Sequence, residues 1–483
     1  MLRLALRDSL IYGSASILSR GLAIFLLPIY TRVLSPADYG VYDLLVTLVA
    51  LANLVVALEV SQGLARYWAD TGDAAARIRF ASTALLFTLG MYLTICGLAL
   101  VFAEPFTALL MGDVAYVDAF RLGMTFVVLN GLYYLVLNQF RWELRSREFA
   151  FISLGYAVLT LVFALGFCVL LDWGLEGVLL AQIAATLICL LVALWRLRSS
   201  FRPVFDTDAL QRMLAFSLPL VPSGVAIFTS LYINRLALLQ YASIEEVGLY
   251  GLATRIAGLI TLLILGVQAA LTPLVYQHAR RPETPGQVAR LFSWFSAVAL
   301  LGCLGLGLLA SELVNLFATA EYASAAPLVS ILAPALLLSQ MYVFAPGIGI
   351  RKKTLYQLVV TLSAAAVSML ANWILVPVFG MAGAAWATLL SSVVFLWGWF
   401  WVSQRLYPVP YEWRQLGLCL LAFIVCVLAG RVFETLSQPL LLEFVAKVIM
   451  LLLLALALVA FRLISVTELQ AGYRMLRNRF GRS

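Results

Sequence analysis

The residues that could do chemistry are the ionisable side chains lying inside or at the rims of long apolar stretches. They are Arg20, Arg255, Glu59, Asp43 and Lys447, with Arg32, Arg121 and Arg235 nearer the ends. A charge at the centre of a hydrocarbon layer costs about 2.5–3.5 kcal/mol on insertion scales, so it normally faces a cavity or a partner. Tyr12, Ser16, Ser19 and Arg20 follow i, i+4, i+7, i+8 spacing and form one polar stripe on a helix. A guanidinium fork grips planar sets of anionic oxygens with paired, charge-assisted hydrogen bonds; the competing reading of Arg20 is a structural partner for a carbonyl or an acid. Arg255 shares its expected helix with Thr254, Thr261, Gln268 and Thr272, which are spaced seven, seven and four apart and so share a face, and it is flanked by Gly251 and Gly258, which permit close helix approach. Glu59, Gln62 and Arg66 run i, i+3, i+7. They read as an interfacial strip with a Glu–Arg pair, or as a carboxylate for coupling to a cation or proton; Asp43 is a second coupling candidate. Asn130, Tyr134, Asn138, Arg141 and Arg145 form a similar stripe that suits sugar hydroxyls or helix packing equally. Arg121 and Arg235 are placed to snorkel to an interface.

The elements that must position these groups follow from composition. Hydrophobic residues make up 63% of the 483 and charged residues 12%, and mean hydropathy is +1.00. A soluble surface needs roughly 25% charged residues, so the solvent of this chain is lipid. Segments of about 20 apolar residues cross the hydrocarbon. They occur at roughly 9–30, 41–60, 80–103, 119–140, 150–171, 175–195, 213–234, 248–275, 290–311, 326–347, 355–376, 381–403, 414–430 and 441–461, predicting about fourteen transmembrane helices. Positive charges collect in alternate loops: Arg66, Arg77 and Arg79; Arg141, Arg145 and Arg147; Arg196 to Arg212; Arg280 and Arg281; Arg351 to Lys353; and the tail from Arg462. The intervening loops are poor in them. This alternation places both termini in the cytoplasm, with the first apolar segment expected as a retained helix rather than a cleaved signal.

The net charge of +8 is explained by that loop bias and not by a nucleic-acid stripe. All six cysteines lie in apolar runs without a CxxC pair, and the lone His278 sits in a basic loop, so neither disulfides nor a metal site is expected. Trp397, Trp399, Phe400 and Trp401 read as an interface belt. The loops are too short to fold as catalytic domains. The expectation is a multi-pass membrane protein that is not an enzyme, uses no cofactor beyond a possible coupling proton or sodium ion, and works as a monomer.

An internal repeat divides the helices. Ser35-Pro36-Ala37-Asp38-Tyr39-Gly40-Val41-Tyr42 and Ser243-Ile244-Glu245-Glu246-Val247-Gly248-Leu249-Tyr250 share acid-x-Gly-x-Tyr just before an apolar run, about 208 residues apart. The offset is six helices, an even number, so the halves have the same topology; parallel halves with a site between them are a known transporter design. The competing reading is ordinary helix-start punctuation, with Gly for a turn.

Residues 28–42, from Pro28-Ile29-Tyr30-Thr31-Arg32 to Tyr42, together with Phe216-Ser217-Leu218-Pro219-Leu220-Val221-Pro222-Ser223 and Val247-Gly248-Leu249-Tyr250-Gly251-Leu252-Ala253, resemble the signatures of Wzx-type bacterial polysaccharide flippases of the multidrug/oligosaccharidyl-lipid/polysaccharide exporter superfamily. Asn234-Arg235 stands where that family usually has Asp-Arg. The resemblance implies an all-α integral membrane fold with two parallel six-helix lobes, 1–200 and 201–404, and a region 405–483 holding two further helices and a basic tail. It implies carriage of an undecaprenyl-pyrophosphate-linked oligosaccharide across the bacterial inner membrane by alternating access. Membrane lipids and, as candidates, a polysaccharide polymerase and export machinery are the implied partners. On that reading Arg20, Arg255, Arg32 and Arg235 bind the cargo, Tyr12, Ser16, Asn130, Tyr134, Thr261 and Gln268 line the cavity, and Glu59 and Asp43 couple ions. The alternatives are a peptidoglycan-precursor flippase and a multidrug or cation antiporter; the latter predicts acids where the first helix carries Arg20. A membrane polymerase or acyltransferase would need a large outer loop or an intramembrane His, and the sequence offers neither.

Overall fold

The computed structural model describes residues 18–19, 21–278, 281–351, 353–435, 440–461 and 463. Every regular element among them is helical. That is what lipid demands, because a helix satisfies its backbone hydrogen bonds within itself. Among the described residues, 11 helical stretches are long and apolar enough to cross a membrane. One of them, within Thr354–Leu406, holds two expected spans: 53 residues in one helix would measure about 80 Å, but Gly380 (φ 54°, ψ −133°) breaks the run. A Cβ on Gly383 would lie 2.3 Å from the Leu375 carbonyl oxygen, so the chain doubles back there. With that run divided and the helices Leu26–Val33 and Val221–Tyr241 added, the architecture is compatible with the expected fourteen.

Contacts group the chain into two compact units. The first holds the described residues up to Leu252 with Leu316–Ala323 and Ser368–Ala384. Its helices are α1 (Leu26–Val33), α2 (Pro36–Val55), α3 (Val60–Asp70), α4 (Ala74–Val101), α5 (Ala103–Met111), α6 (Val117–Trp142), α7 (Ser146–Ala164), α8 (Gly174–Arg196), α9 (Thr207–Ser217), α10 (Val221–Tyr241) and the start of α11 (Ile244–Ala257). Tyr133, Val136, Phe140, Phe149, Ile152 and Leu190 form one core between α6, α7 and α8. Val60, Leu64, Phe80, Ala84 and Met213 form another that ties α3, α4 and α9.

The second unit comprises Ala253–Asn315, Ser324–Val367 and the described residues from Ala385 onward. It holds α12 (Thr261–His278), α13 (Thr284–Leu308), most of α14 (Ala310–Phe317), α15 (Ala326–Leu338), the larger parts of α16 (354–379) and α17 (381–406), α18 (Trp413–Thr435) and α19 (Leu440–Ala460). Phe292 is its aromatic hub, with ring centroids 5.6 Å from Phe344, 5.5 Å from Phe400 and 5.0 Å from Tyr411. The expected aromatic belt divides by helix face. Trp397 and Trp401 are exposed, whereas Trp399 and Phe400 are buried, and the Trp399 indole donates to the Ala345 carbonyl (3.0 Å).

Three of the interruptions in the expected spans bear on the candidate residues. The span at 41–60 ends at Val55, and Leu58 (φ 50°) and Glu59 (φ 54°) both take left-handed backbone. That conformation is costly for side chains with a Cβ, and it starts α3 in a new direction. The expected helix 213–234 is two helices joined by a tight turn at Leu218–Leu220; Pro219 and Pro222 remove backbone donors there. The expected helix 248–275 tightens at Gly258–Ile260. Three residues per turn instead of 3.6 advance the phase, so Thr254 does not keep the face of Thr261 and Gln268.

The repeated motif explains itself in the first unit. Ser35 caps α2, its Oγ accepting from the Asp38 N–H (3.2 Å); the Ser243 Oγ accepts from the Glu246 N–H (3.1 Å) in the same way. The glycines serve no turn, for both lie inside helices. A Cβ on Gly40 would stand 2.0 Å from the Ile244 oxygen, and one on Gly248 would stand 1.9 Å from the Pro36 oxygen. The contact is reciprocal at the repeat offset: each glycine meets the residue four before the other. Backbone touches backbone, and no rotamer change can relieve an added methyl. Gly40→Ala and Gly248→Ala should each abolish the monodisperse peak of detergent-solubilised protein in fluorescence-detected gel filtration. Gly90→Ala, where nothing lies within 4 Å, should leave it intact.

Candidate functional site

Beside this crossing lies a buried ion pair. Asp43, on the second turn of α2, and Arg235, on α10, are 4% and 7% exposed, and the Arg235 Nε donates to the Asp43 Oδ2 at 2.8 Å. The sequence places Arg235 with the cargo-binding cations and Asp43 with the coupling acids; in the structure each holds the other. Gly251 makes the room, since a Cβ there would lie 2.8 Å from the Asp43 carboxyl carbon. The guanidinium also stands over the rings of Tyr232 (5.2 Å) and Tyr250 (5.5 Å), which adds cation–π attraction in a desolvated setting.

Neutral polar groups extend the network. Asn234 Nδ2 donates to the Tyr250 hydroxyl (2.9 Å), and its Oδ1 accepts from Asn372 Nδ2 (2.6 Å). Asn234 therefore does hydrogen-bonding work at the position where the Asp-Arg pattern would place an acid, while Asp43 supplies the charge for Arg235. Between α1 and α2, the Tyr322 hydroxyl donates to the Leu34 carbonyl (2.9 Å). The Glu246 carboxylate accepts from the Met381 N–H (2.7 Å). That approach needs Gly380, where a Cβ would sit 2.5 Å from the Glu246 Oε2. The arrangement can lock α2, α10, α11 and the α16–α17 turn together. Opening it requires a new partner for each charge.

The remaining candidates distribute as follows. Tyr12, Ser16 and Arg20 lie outside the described residues. Arg32 is exposed in the last turn of α1, and Arg255 is half-buried in the last turn of α11. Asn130 accepts from Asn53 (3.1 Å), whose Oδ1 accepts from the Tyr92 hydroxyl (2.9 Å). That chain ties α2, α4 and α6 together, which is the helix-packing alternative for this stripe. Tyr134 is 40% exposed. In the second unit, Thr261 bonds the Gly258 carbonyl (2.7 Å) and Gln268 donates to the Tyr342 hydroxyl (3.2 Å). Glu59 sits at the left-handed break with Gln62 as its hydrogen-bond partner. The expected Glu59–Arg66 pair does not form; Arg66 pairs with Asp70 one turn on (3.1 Å), because the break takes Glu59 off the α3 helix. Lys447 is buried against Glu443 (2.7 Å) and Glu312. Asn234, Tyr250, Asn372 and Asn53 are additions. The sequence signal for Tyr250 was present in the repeat, whereas the Asn contacts come from distant segments.

This order of helices defines the class. The fold is that of transporters of the multidrug/oligosaccharidyl-lipid/polysaccharide superfamily. The lipid II flippase MurJ in an inward closed conformation superimposes with a TM-score of 0.71 at 12% identity, over 92% of this chain and 98% of that one. An inward-facing multidrug resistance MATE family transporter gives 0.61 at 18% identity, over 82% and 98%. The chain belongs to the polysaccharide biosynthesis protein family, whose pattern matches residues 5–279. It is 26% identical over 329 residues to the succinoglycan biosynthesis transport protein ExoT of Rhizobium meliloti (strain 1021), a match spanning 65% of this chain and 62% of that protein's length. The resemblance read from residues 28–42 and 216–253 thus holds.

Removing one partner of a buried pair strands the other charge, at a cost of about 3–5 kcal/mol. Asp43→Leu and Arg235→Leu should each lower the thermal unfolding midpoint in detergent sharply. The double variant should recover much of the loss, and a strictly additive double would show that the two side chains are not coupled.

Proposed function

We propose that the chain is a flippase for an undecaprenyl-pyrophosphate-linked oligosaccharide repeat unit, serving synthesis of a surface polysaccharide. The observation that carries this reading is the presence of arginines, Arg20 and Arg255, inside apolar segments of the sequence. Asp43 in α2 and Glu443 in α19 already hold Arg235 and Lys447, so these two carboxylates are taken from a cationic cargo. Arg20 and Arg255 supply the opposite chemistry, a planar fork for pyrophosphate oxygens. Membership of a polysaccharide biosynthesis family and the transporter fold support it. The six-six-two division of helices, with lobes 1–200 and 201–404, provides the alternating frame. In that frame the Asp43–Arg235 network closes the outer side and must part for the cargo to leave, with Asp43 accepting a proton or cation as it does. The carrier sits in the inner membrane with both termini in the cytoplasm, where a polymerase and export machinery would take over its product.

The decisive experiment is complementation of a strain lacking its polysaccharide flippase. Wild-type protein should restore polymer. Arg20→Gln and Arg255→Gln should each reduce it at least tenfold at equal protein levels; normal output from both would sink the anionic-cargo reading. Efflux of cationic dyes should be unchanged by expression. For orientation, a reporter active only in the periplasm should stay silent when fused after Arg482.

A further inference from the structure

Three of the arginine-rich loops meet in the first unit around a cavity of about 700 Å³ that the transport reading does not use. It is formed by the end of α3, the start of α4, the end of α6 with the turn after it, and the turn at Ser199 and Ser200. Arg77 and Arg141 line it with Trp68 and Trp142. Arg77 donates through Nε to the Thr71 carbonyl (2.7 Å) and lies over the Trp68 ring (5.4 Å). Among the described residues its terminal guanidinium nitrogens have no hydrogen-bond partner. Arg141 holds the Asn138 Oδ1 through one terminal nitrogen (3.2 Å) and lies over the Phe149 ring (4.4 Å). The acid of the cavity, Glu143, is already satisfied. It accepts from Gln139 (2.9 Å) and Ser200 (2.5 Å) and pairs with Arg145 (3.3 Å). The two cavity arginines therefore set its sign.

We propose that this cavity is a binding site for a hydroxylated phosphate headgroup. Its volume falls in the range of small-ligand sites, roughly 300–1,000 Å³. Two guanidinium groups supply forked donors for phosphate oxygens. The half-buried Trp68 and Trp142 offer flat apolar faces with a polar edge, suited to the C–H face of a sugar or glycerol. Ser199 offers a hydroxyl partner for the polyol. Two sources share this chemistry: the glycosyl phosphate end of the lipid-linked cargo and the glycerol phosphate headgroup of an anionic membrane lipid, for which basic pockets between helices are suited. Only the cargo source rests on the transport reading above; the site does not.

The test uses full-length protein in nanodiscs of phosphatidylcholine and saturation-transfer NMR, which detects weak ligands. Glucose 1-phosphate stands for the cargo end, glycerophosphoglycerol for the lipid headgroup, and glucose alone is the control. At least one phosphate probe should bind and glucose should not. Arg77→Gln/Arg141→Gln should weaken binding at least tenfold. Ala74→Phe, which fills the cavity while keeping both arginines, should abolish it. Preference for glucose 1-phosphate assigns the cargo as the source, and preference for glycerophosphoglycerol assigns the membrane lipid. Silence of both phosphate probes, or binding indifferent to both variants, would overturn the site. Silent probes combined with Arg255-dependent polymer output would do so while leaving the transport reading intact; bound probes without complementation would do the reverse.

Discussion

Two helix backbones can touch only where neither carries a side chain, and the structure of the first unit hangs on one such place. At Gly40 and Gly248 the opening turns of α2 and α11 meet at carbonyl distance. Everything polar nearby is arranged around that fixed point. Asp43 is one turn further along α2, close enough to lie on Gly251 and to receive Arg235 from α10. Asn234 and Tyr250 are brought into hydrogen-bond range by the same approach. A wider crossing would open a gap that lipid or water must fill, and the ion pair would lose the dry, matched setting that makes it worth burying.

The lipid environment sharpens this dependence. Helices in a bilayer gain little from hiding apolar faces from one another, because lipid tails are as apolar as leucine. Close packing of small residues and satisfied polar contacts must supply the association instead. The Tyr92–Asn53–Asn130 chain joining α2, α4 and α6 works in the same way. So does Lys447, whose charge in α19 is matched by Glu443 and Glu312.

The fold was largely legible in the sequence, and the site only in part. Apolar length marked the spans well because hydrocarbon thickness fixes it. The breaks escaped where they were set by backbone geometry. Nothing in Leu58 or Glu59 announces a left-handed pair, while Pro219 and Pro222 did announce a turn that an apolar count passes over. Charge in an apolar run correctly singled out Asp43, Arg235 and Lys447 as needing explanation. The Asp43–Arg235 and Glu312–Lys447 partners could not be read, because each pair joins helices that the chain order does not place side by side, whereas Glu443 lies one turn from Lys447 in the same helix. The Asn130 stripe was ambiguous for a physical reason: an amide that can bind a sugar hydroxyl can equally bind Asn53.

The reciprocity of the glycine contact has one more consequence. Residues 208 apart touch each other's equivalents, which is the pattern of a self-complementary interface between two identical subunits. A single half, duplicated, already contains the geometry of a homodimer. In such a dimer the position of Asp43 would face its own copy across the axis, setting two carboxylates against each other. In the single chain the equivalent of Asp43 is Gly251, so one acid remains where symmetry would put two. Joining the halves in one polypeptide is what lets the symmetric contact be kept for packing and broken for charge.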